Sequence, residues 1–220
     1  MRKISVIFLL IQVVLGFPTI EIDPKVVGGR DAIEHEAPYI VSLEVDWQSN
    51  GVFRHICGGS ILTSTWILSA AHCITEVGLN LNYQIVAGQH DLSVTSGSEQ
   101  IRAVTEILIH ENFVSGPIVG PFDITVLRLA SPLTIIAGVV EGINLPLAGQ
   151  ITLGSATLFG WGSTSTTTTP SFPNILQTVT KPIIAWDLCR EIVNAAFDHE
   201  PLHSSNLCTG LESNYAACNG

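Results

Sequence analysis

The stretch "GSILTSTWILSAAHC", Gly59 to Cys73, decides how the chain is read. Two apolar runs, one ending at Leu62 and one starting at Trp66, flank the hydroxyl residues Thr63 to Thr65, the pattern of two short strands joined by a turn. The same rhythm continues outward. Candidate strands occupy Tyr39–Val45, Tyr83–Gly88, Ile101–His110 and Asp123–Leu129, each rich in apolar and β-branched residues and bounded by Gly, Pro, Ser or Asn. A second set follows the looser stretch 131–149, in "ITLGSATLFGWG" (151–162) and "ILQTVTKPII" (175–184). The chain is mostly β. One segment departs from it: "DLCREIVNAAF" (187–197) predicts a short helix capped by Asp187, with Leu188, Ile192, Val193 and Ala196 on one face. "STSTTTTP" (163–170) has too little apolar content to pack and predicts a surface loop.

The 220 residues are 46% apolar and 13% charged, enough to bury a large core. The first 16, "MRKISVIFLLIQVVLG", combine Arg2 and Lys3 with an apolar run ending in a small residue, which reads as a secretory signal peptide over 1–16. That run falls short of the roughly 20 apolar residues that span a bilayer. Secretion, without a membrane anchor, is the expectation. It places the five cysteines, Cys57, Cys73, Cys189, Cys208 and Cys218, in an oxidising compartment, where an odd count leaves one unpaired within the chain. Removing the three basic and two acidic residues before Val26 leaves 6 basic and 17 acidic, a formal charge of −11. Such a balance excludes nucleic acid and anionic membrane surfaces as partners.

His72 follows an apolar strand directly and neighbours Cys73. "PFDITVLRL" sets Asp123 at the mouth of another. A histidine after a strand serves packing as readily as chemistry, and an aspartate often does no more than begin a turn. A carboxylate partly buried by apolar neighbours nevertheless needs a donor, and His72 can be that donor. An imidazole held by a carboxylate on one nitrogen presents the other as a general base for a hydroxyl or thiol nucleophile.

At these residues the sequence resembles the chymotrypsin-like serine endopeptidases. The likeness rests on "VVGG" after Lys25, "CGGSIL" at Cys57, "AAHC" at Ala70, "DITVL" at Asp123, "GWG" at Gly160, "NLCTG" at Asn206 and "ACNG" at Ala217, in family order across Val26 to Gly220. It implies two antiparallel six-stranded β-barrels with the active site between them. Residues 17–25 are then an activation propeptide and 26–220 the peptidase domain: first barrel 26–130, linker 131–149 and a partial second barrel 150–220. His72 is implied as general base then acid, and Asp123 as the residue that fixes its tautomer. Cys57 with Cys73 and Cys189 with Cys208 are the implied disulfides, which leaves Cys218 unpaired.

In the family an aspartate, the reactive serine and two glycines follow the position of Gly220, so the expectation is a chain cut just before its nucleophile and inactive as it stands. Ser60 falls in a strand and does not replace that serine. Gly220 is implied to give one N–H to the oxyanion hole, and Ala216 to floor the primary pocket, favouring apolar or aromatic residues before the scissile bond. "DPKVVGGR" resembles an activation junction, cut between Lys25 and Val26 by a protease that recognises lysine. Expected partners are that protease, protein or peptide substrates and protease inhibitors; the protein is expected to be monomeric and to need no cofactor or metal. "HEPLH" (199–203) matches a zinc-protease pattern, but Pro201 breaks the helix that pattern requires. "GQHDLSVTSGSEQ" (88–100) corresponds to a calcium loop in some relatives, yet Gln89 and Ser96 stand at two ligand places and only Glu99 remains. A second reading keeps the fold and drops the chemistry: a non-catalytic protease homologue that binds partners.

Overall fold

Alternation of side chains builds the first half of the molecule. The computed structural model describes residues 29–116, 121–150, 153–165, 169–197, 202–203 and 206–210. After β1 (Arg30–Asp31) come β2 (Ile40–Asp46), β3 (Arg54–Thr63) and β4 (Trp66–Ser69), then the four-residue helix α1 (His72–Thr75), β5 (Asn82–Ala87), β6 (Gln100–Ile109) and β7 (Thr125–Leu129). Strands β2 to β7 close an antiparallel barrel in the order β2-β3-β4-β7-β6-β5. Closure leaves no free edge, and alternate residues point inward. Val41, Leu43 and Val45 of β2, Ile61 of β3, Ile67 of β4, Ile85 of β5 and Leu127 of β7 meet there with no exposed surface. In β6 half-buried and exposed residues nearly alternate, as in a strand with one wetted face.

Strands β8 (Ser155–Gly160), β9 (Gln177–Ile184) and β10 (Cys208–Thr209) form a second antiparallel sheet with the helix α2 (Trp186–Phe197) beside them. The sheet recruits β1, whose Arg30 and Asp31 pair with Thr178 and Gln177. Gln177, 2% exposed, also donates its side-chain amide to Asp31 at 2.9 Å. Between the barrel and this sheet Ala32, Ala37, Ile40, Trp161 and Leu176 make a smaller core, with Tyr39 and Phe159 edge to face at its border.

Helix α2 starts one residue before Asp187, at Trp186. Asp187 is therefore inside the first turn and is not the cap; the carbonyl of Ala185 accepts the N–H of Cys189 at 3.0 Å and starts the helical ladder. Leu188 and Ile192 are exposed, and Cys189 is buried. The signal peptide 1–16, the junction at Lys25 and Val26, and Ala216, Cys218 and Gly220 lie outside the described residues. So do His199, Glu200 and Pro201 of "HEPLH" and Thr166 to Thr168 of the threonine-rich loop.

Candidate active site

Strand β4 ends at Ser69, and two alanines turn the chain into α1. Ala71 has no exposed surface, and its carbonyl accepts the N–H groups of Ile74 and Thr75, both at 3.0 Å. A helix turns successive side chains by about 100°, so neighbours face different ways. Cys73 points into the barrel core and bonds Cys57, with S–S 2.00 Å. His72 points outward. A link enclosing 15 residues stabilises by about 3 kcal/mol in the chain-entropy picture, and here it also pins the first turn that carries His72.

Asp123 comes from the neighbouring strand, just before β7, which pairs with β4 so that Thr125 lies opposite Ser69. The N–H of Ile124 bonds the carbonyl of Phe122 at 2.7 Å, which makes Asp123 the centre of a γ-turn. Its two oxygens both serve His72: Oδ1 accepts the backbone N–H at 2.8 Å, and Oδ2 lies 2.7 Å from Nδ1. The carboxylate only accepts, so Nδ1 carries the proton and Nε2 keeps its lone pair. The imidazole is 38% exposed and the carboxylate 20%, so the base nitrogen is reachable while the group that orients it is sheltered. Among the described residues Nε2 has no hydroxyl partner; its nearest polar neighbour is Cys73 Sγ at 3.6 Å. Cys57, His72 and Cys73 lie close enough together to suggest a metal cluster, but both sulfurs are consumed in the disulfide and offer no thiolate.

A cleft of about 490 Å³ opens beside Asp123, lined by Gly58, Gly59 and Ser60 of the barrel and by Thr157 and Phe159 of β8. Ser60 sits within β3, paired with Ile40 and Leu68. Gly59 has to be glycine, because a Cβ there would stand 2.9 Å from Ile67 Cγ2 and 3.1 Å from the Leu68 carbonyl. The pair can activate a nucleophile presented at Nε2, as a general base oriented by a sheltered carboxylate does.

Three ring residues, Phe122, His110 and His203, cluster beside the pair, a grouping the sequence does not signal. Phe122, directly before Asp123, has φ of 64°, the left-handed region that costs a bulky residue about 1–2 kcal/mol. Its ring stacks on His110, centroids 4.8 Å apart and planes at 16°, and meets His203 at 5.0 Å. His203 is the last residue of "HEPLH", and α2 ends at Phe197, ahead of that pattern. Cys189 and Cys208 are bonded, S–S 1.95 Å. In the 88–100 loop the Gln89 amide donates to the carbonyls of Asp91 at 2.6 Å and Val94 at 3.3 Å. Glu99 accepts the N–H groups of Ser96 at 2.7 Å and Gly97 at 2.8 Å. Gln89 thus satisfies two loop carbonyls by itself.

A family model described as Trypsin matches residues 26–220. The chain is 34% identical over 198 residues to Trypsin-1 of Astacus astacus, covering 89% of this chain and 79% of that protein. It is 29% identical over 202 residues to chymotrypsin-like elastase family member 1 of Canis lupus familiaris, covering 91% and 74%. A solved structure of neuropsin, a serine protease expressed in the limbic system of mouse brain, superposes with a TM-score of 0.71 at 25% identity, over 88% of this chain and 78% of that one.

Proposed function

The chain belongs to the trypsin family of serine proteases, and from that premise we propose that it is the zymogen form of a secreted serine endopeptidase in which His72 and Asp123 are two members of the catalytic triad. The observation that carries the reading is the two-point bond between Asp123 and His72, at 2.7 and 2.8 Å, which leaves Nε2 free for proton transfer. His72 takes the proton of the attacking hydroxyl and returns it to the leaving amine; Asp123 holds the tautomer and stabilises the imidazolium between the two steps. In this reading the hydroxyl belongs to a serine two residues beyond Gly220, in a segment Asp-Ser-Gly-Gly of the kind the family carries. Gly220 and that serine supply the oxyanion-hole N–H groups, and Ala216 floors a pocket for an apolar or aromatic side chain.

Activation follows from the junction at Lys25. Cleavage there frees the ammonium of Val26, which pairs with the aspartate ahead of the serine. Downstream of it, Arg30 grips Glu36 through both guanidinium nitrogens, at 2.8 and 2.6 Å, and this bond holds the Glu36 carboxyl down at about 2. That anchor fixes residues 30–36 while the segment before them changes position. Export is supported by the leader-like first 16 residues, and among the described residues no helix is long and apolar enough to cross a membrane.

The experiment expresses two proteins, the 220-residue chain and the same chain continued through Asp-Ser-Gly-Gly and the rest of its reading frame. The continued protein is expected to cleave peptides after Phe, Leu or Tyr only once a lysine-specific protease has cut at Lys25, and the shorter chain to cleave none. Full activity with Lys25 intact would overturn the zymogen reading, and a residue other than serine at the nucleophile position would overturn the peptidase reading in favour of the non-catalytic homologue.

A further inference from the structure

Resting on the reading of His72 and Asp123 as a catalytic pair, we propose that Phe122 is a positioning residue for that pair, clamped between the imidazoles of His110 and His203 so that its left-handed backbone aims Asp123 at His72.

A bulky aromatic residue at φ of 64° adopts that conformation only when its surroundings over-determine it. Glycine would take the same angle without strain, so the ring must contribute something the backbone does not. Two contacts say what it is. His110 follows β6 and lies flat on one face of Phe122, while His203, from the segment after α2, meets the ring at 52°. Each histidine is anchored separately, His110 through its backbone and its ring, His203 through its backbone. The N–H of His110 donates to Ile124 O at 3.1 Å, and His110 Nδ1 accepts the N–H of Asn112 at 3.1 Å. His203 donates its N–H to Asn206 Oδ1 at 2.8 Å, and its carbonyl accepts Asn206 N–H at 2.9 Å and the indole N–H of Trp186 at 3.0 Å. Asn206 stands two residues before Cys208, which is bonded to Cys189 in α2.

A continuous path of contacts therefore runs from the Cys189–Cys208 disulfide through His203 and Phe122 to the γ-turn at Asp123. Within that turn the Phe122 carbonyl holds the Ile124 N–H at 2.7 Å, so the orientation of the 122–123 peptide sets where the carboxylate points. Freed of the clamp, residue 122 relaxes toward negative φ and rotates Asp123 away from Nδ1. The second sheet thereby acts on the orientation of a pair that belongs wholly to the barrel. Phe122 itself touches no reacting atom.

The test is proton NMR on the 220-residue chain, following the low-field Nδ1–H resonance of His72 that a short bond to a carboxylate produces. The unsubstituted chain is expected to show it, and Phe122→Tyr, which keeps the ring, to retain it. Phe122→Ala, which removes the ring but keeps the Cβ that disfavours the left-handed angle, is expected to broaden it beyond detection or lose it, while Phe122→Gly, which takes that angle without strain, keeps more of it; His203→Ala should act as Phe122→Ala does, with His203→Phe restoring it. A sharp, unshifted resonance in both Phe122→Ala and His203→Ala would overturn the proposal while leaving the pair intact. Should Phe122→Ala not fold, His203→Ala decides alone. Absence of the resonance from the unsubstituted chain would instead overturn the reading of His72 and Asp123 as a pair.

Discussion

Asp123 uses both oxygens on one residue, and that economy explains why it should tolerate no isosteric replacement. In Asp123→Asn one oxygen becomes an NH₂ that cannot accept from Nδ1–H; the imidazole turns to the tautomer that protonates Nε2, and the base is gone although the shape is unchanged. Measured on the activated enzyme with its serine, kcat is expected to fall by about 10⁴-fold, the loss known for the same change in a related triad peptidase, with KM little altered. A loss under tenfold would mean that Asp123 does not set the tautomer. His72 and Asp123 were legible in the sequence because each follows or opens an apolar strand within a short recognisable motif. Phe122 was not legible as anything but apolar, because a backbone angle and two ring contacts from distant segments leave no mark in residue type.

Elements set the pH limits of this scaffold. His55 of β3 sits against Ser42 of β2, Oγ to Nδ1 at 2.8 Å, with its ring edge to face on Trp161 at 5.3 Å. Burial there pushes its pKa down from 6.5 to about 4. The unfolded chain binds a proton on this residue below pH 6.5 and the folded chain does not until about 4, so stability falls as pH drops through that window and His55 adds no further loss below it. The loss is on the order of 1–3 kcal/mol. Urea titrations between pH 7 and 4 are expected to show that slope, and His55→Gln to flatten it over the upper part of the window, above the range where carboxylates titrate; an unchanged slope in His55→Gln would assign the window to other groups. The strands themselves were readable from apolar clustering, to within a residue or two at β2, β5 and β6. The start of α2 was not, because Asp187 looks like a cap while Trp186 is drawn into the first turn by its indole bond to His203 O and by Arg190, stacked 4.8 Å over its ring. The exposure of Leu188 and Ile192 was equally unreadable, since helical periodicity gives a face but not what it meets.

Across the whole molecule the barrel and the second sheet are joined by contacts that sequence order hides. Residues 30 and 31 precede the barrel yet pair in the other sheet, with Gln177 reaching Asp31 across 146 positions. Trp161 closes the smaller core and donates its indole N–H to His90 O at 3.2 Å, tying the segment after β8 to the loop after β5. The proposed site lies at this junction, with His72 and Asp123 on the barrel and Thr157 and Phe159 of the second sheet lining the cleft beside Asp123. The central claim is that His72 is the base of a serine peptidase. Its most direct measurement is kcat/KM for a peptide substrate by the continued, lysine-activated protein, set beside its His72→Ala variant with folding checked by circular dichroism. A fall on the order of 10⁶-fold with folding retained is the expected result; activity within tenfold of the unsubstituted enzyme would contradict the claim.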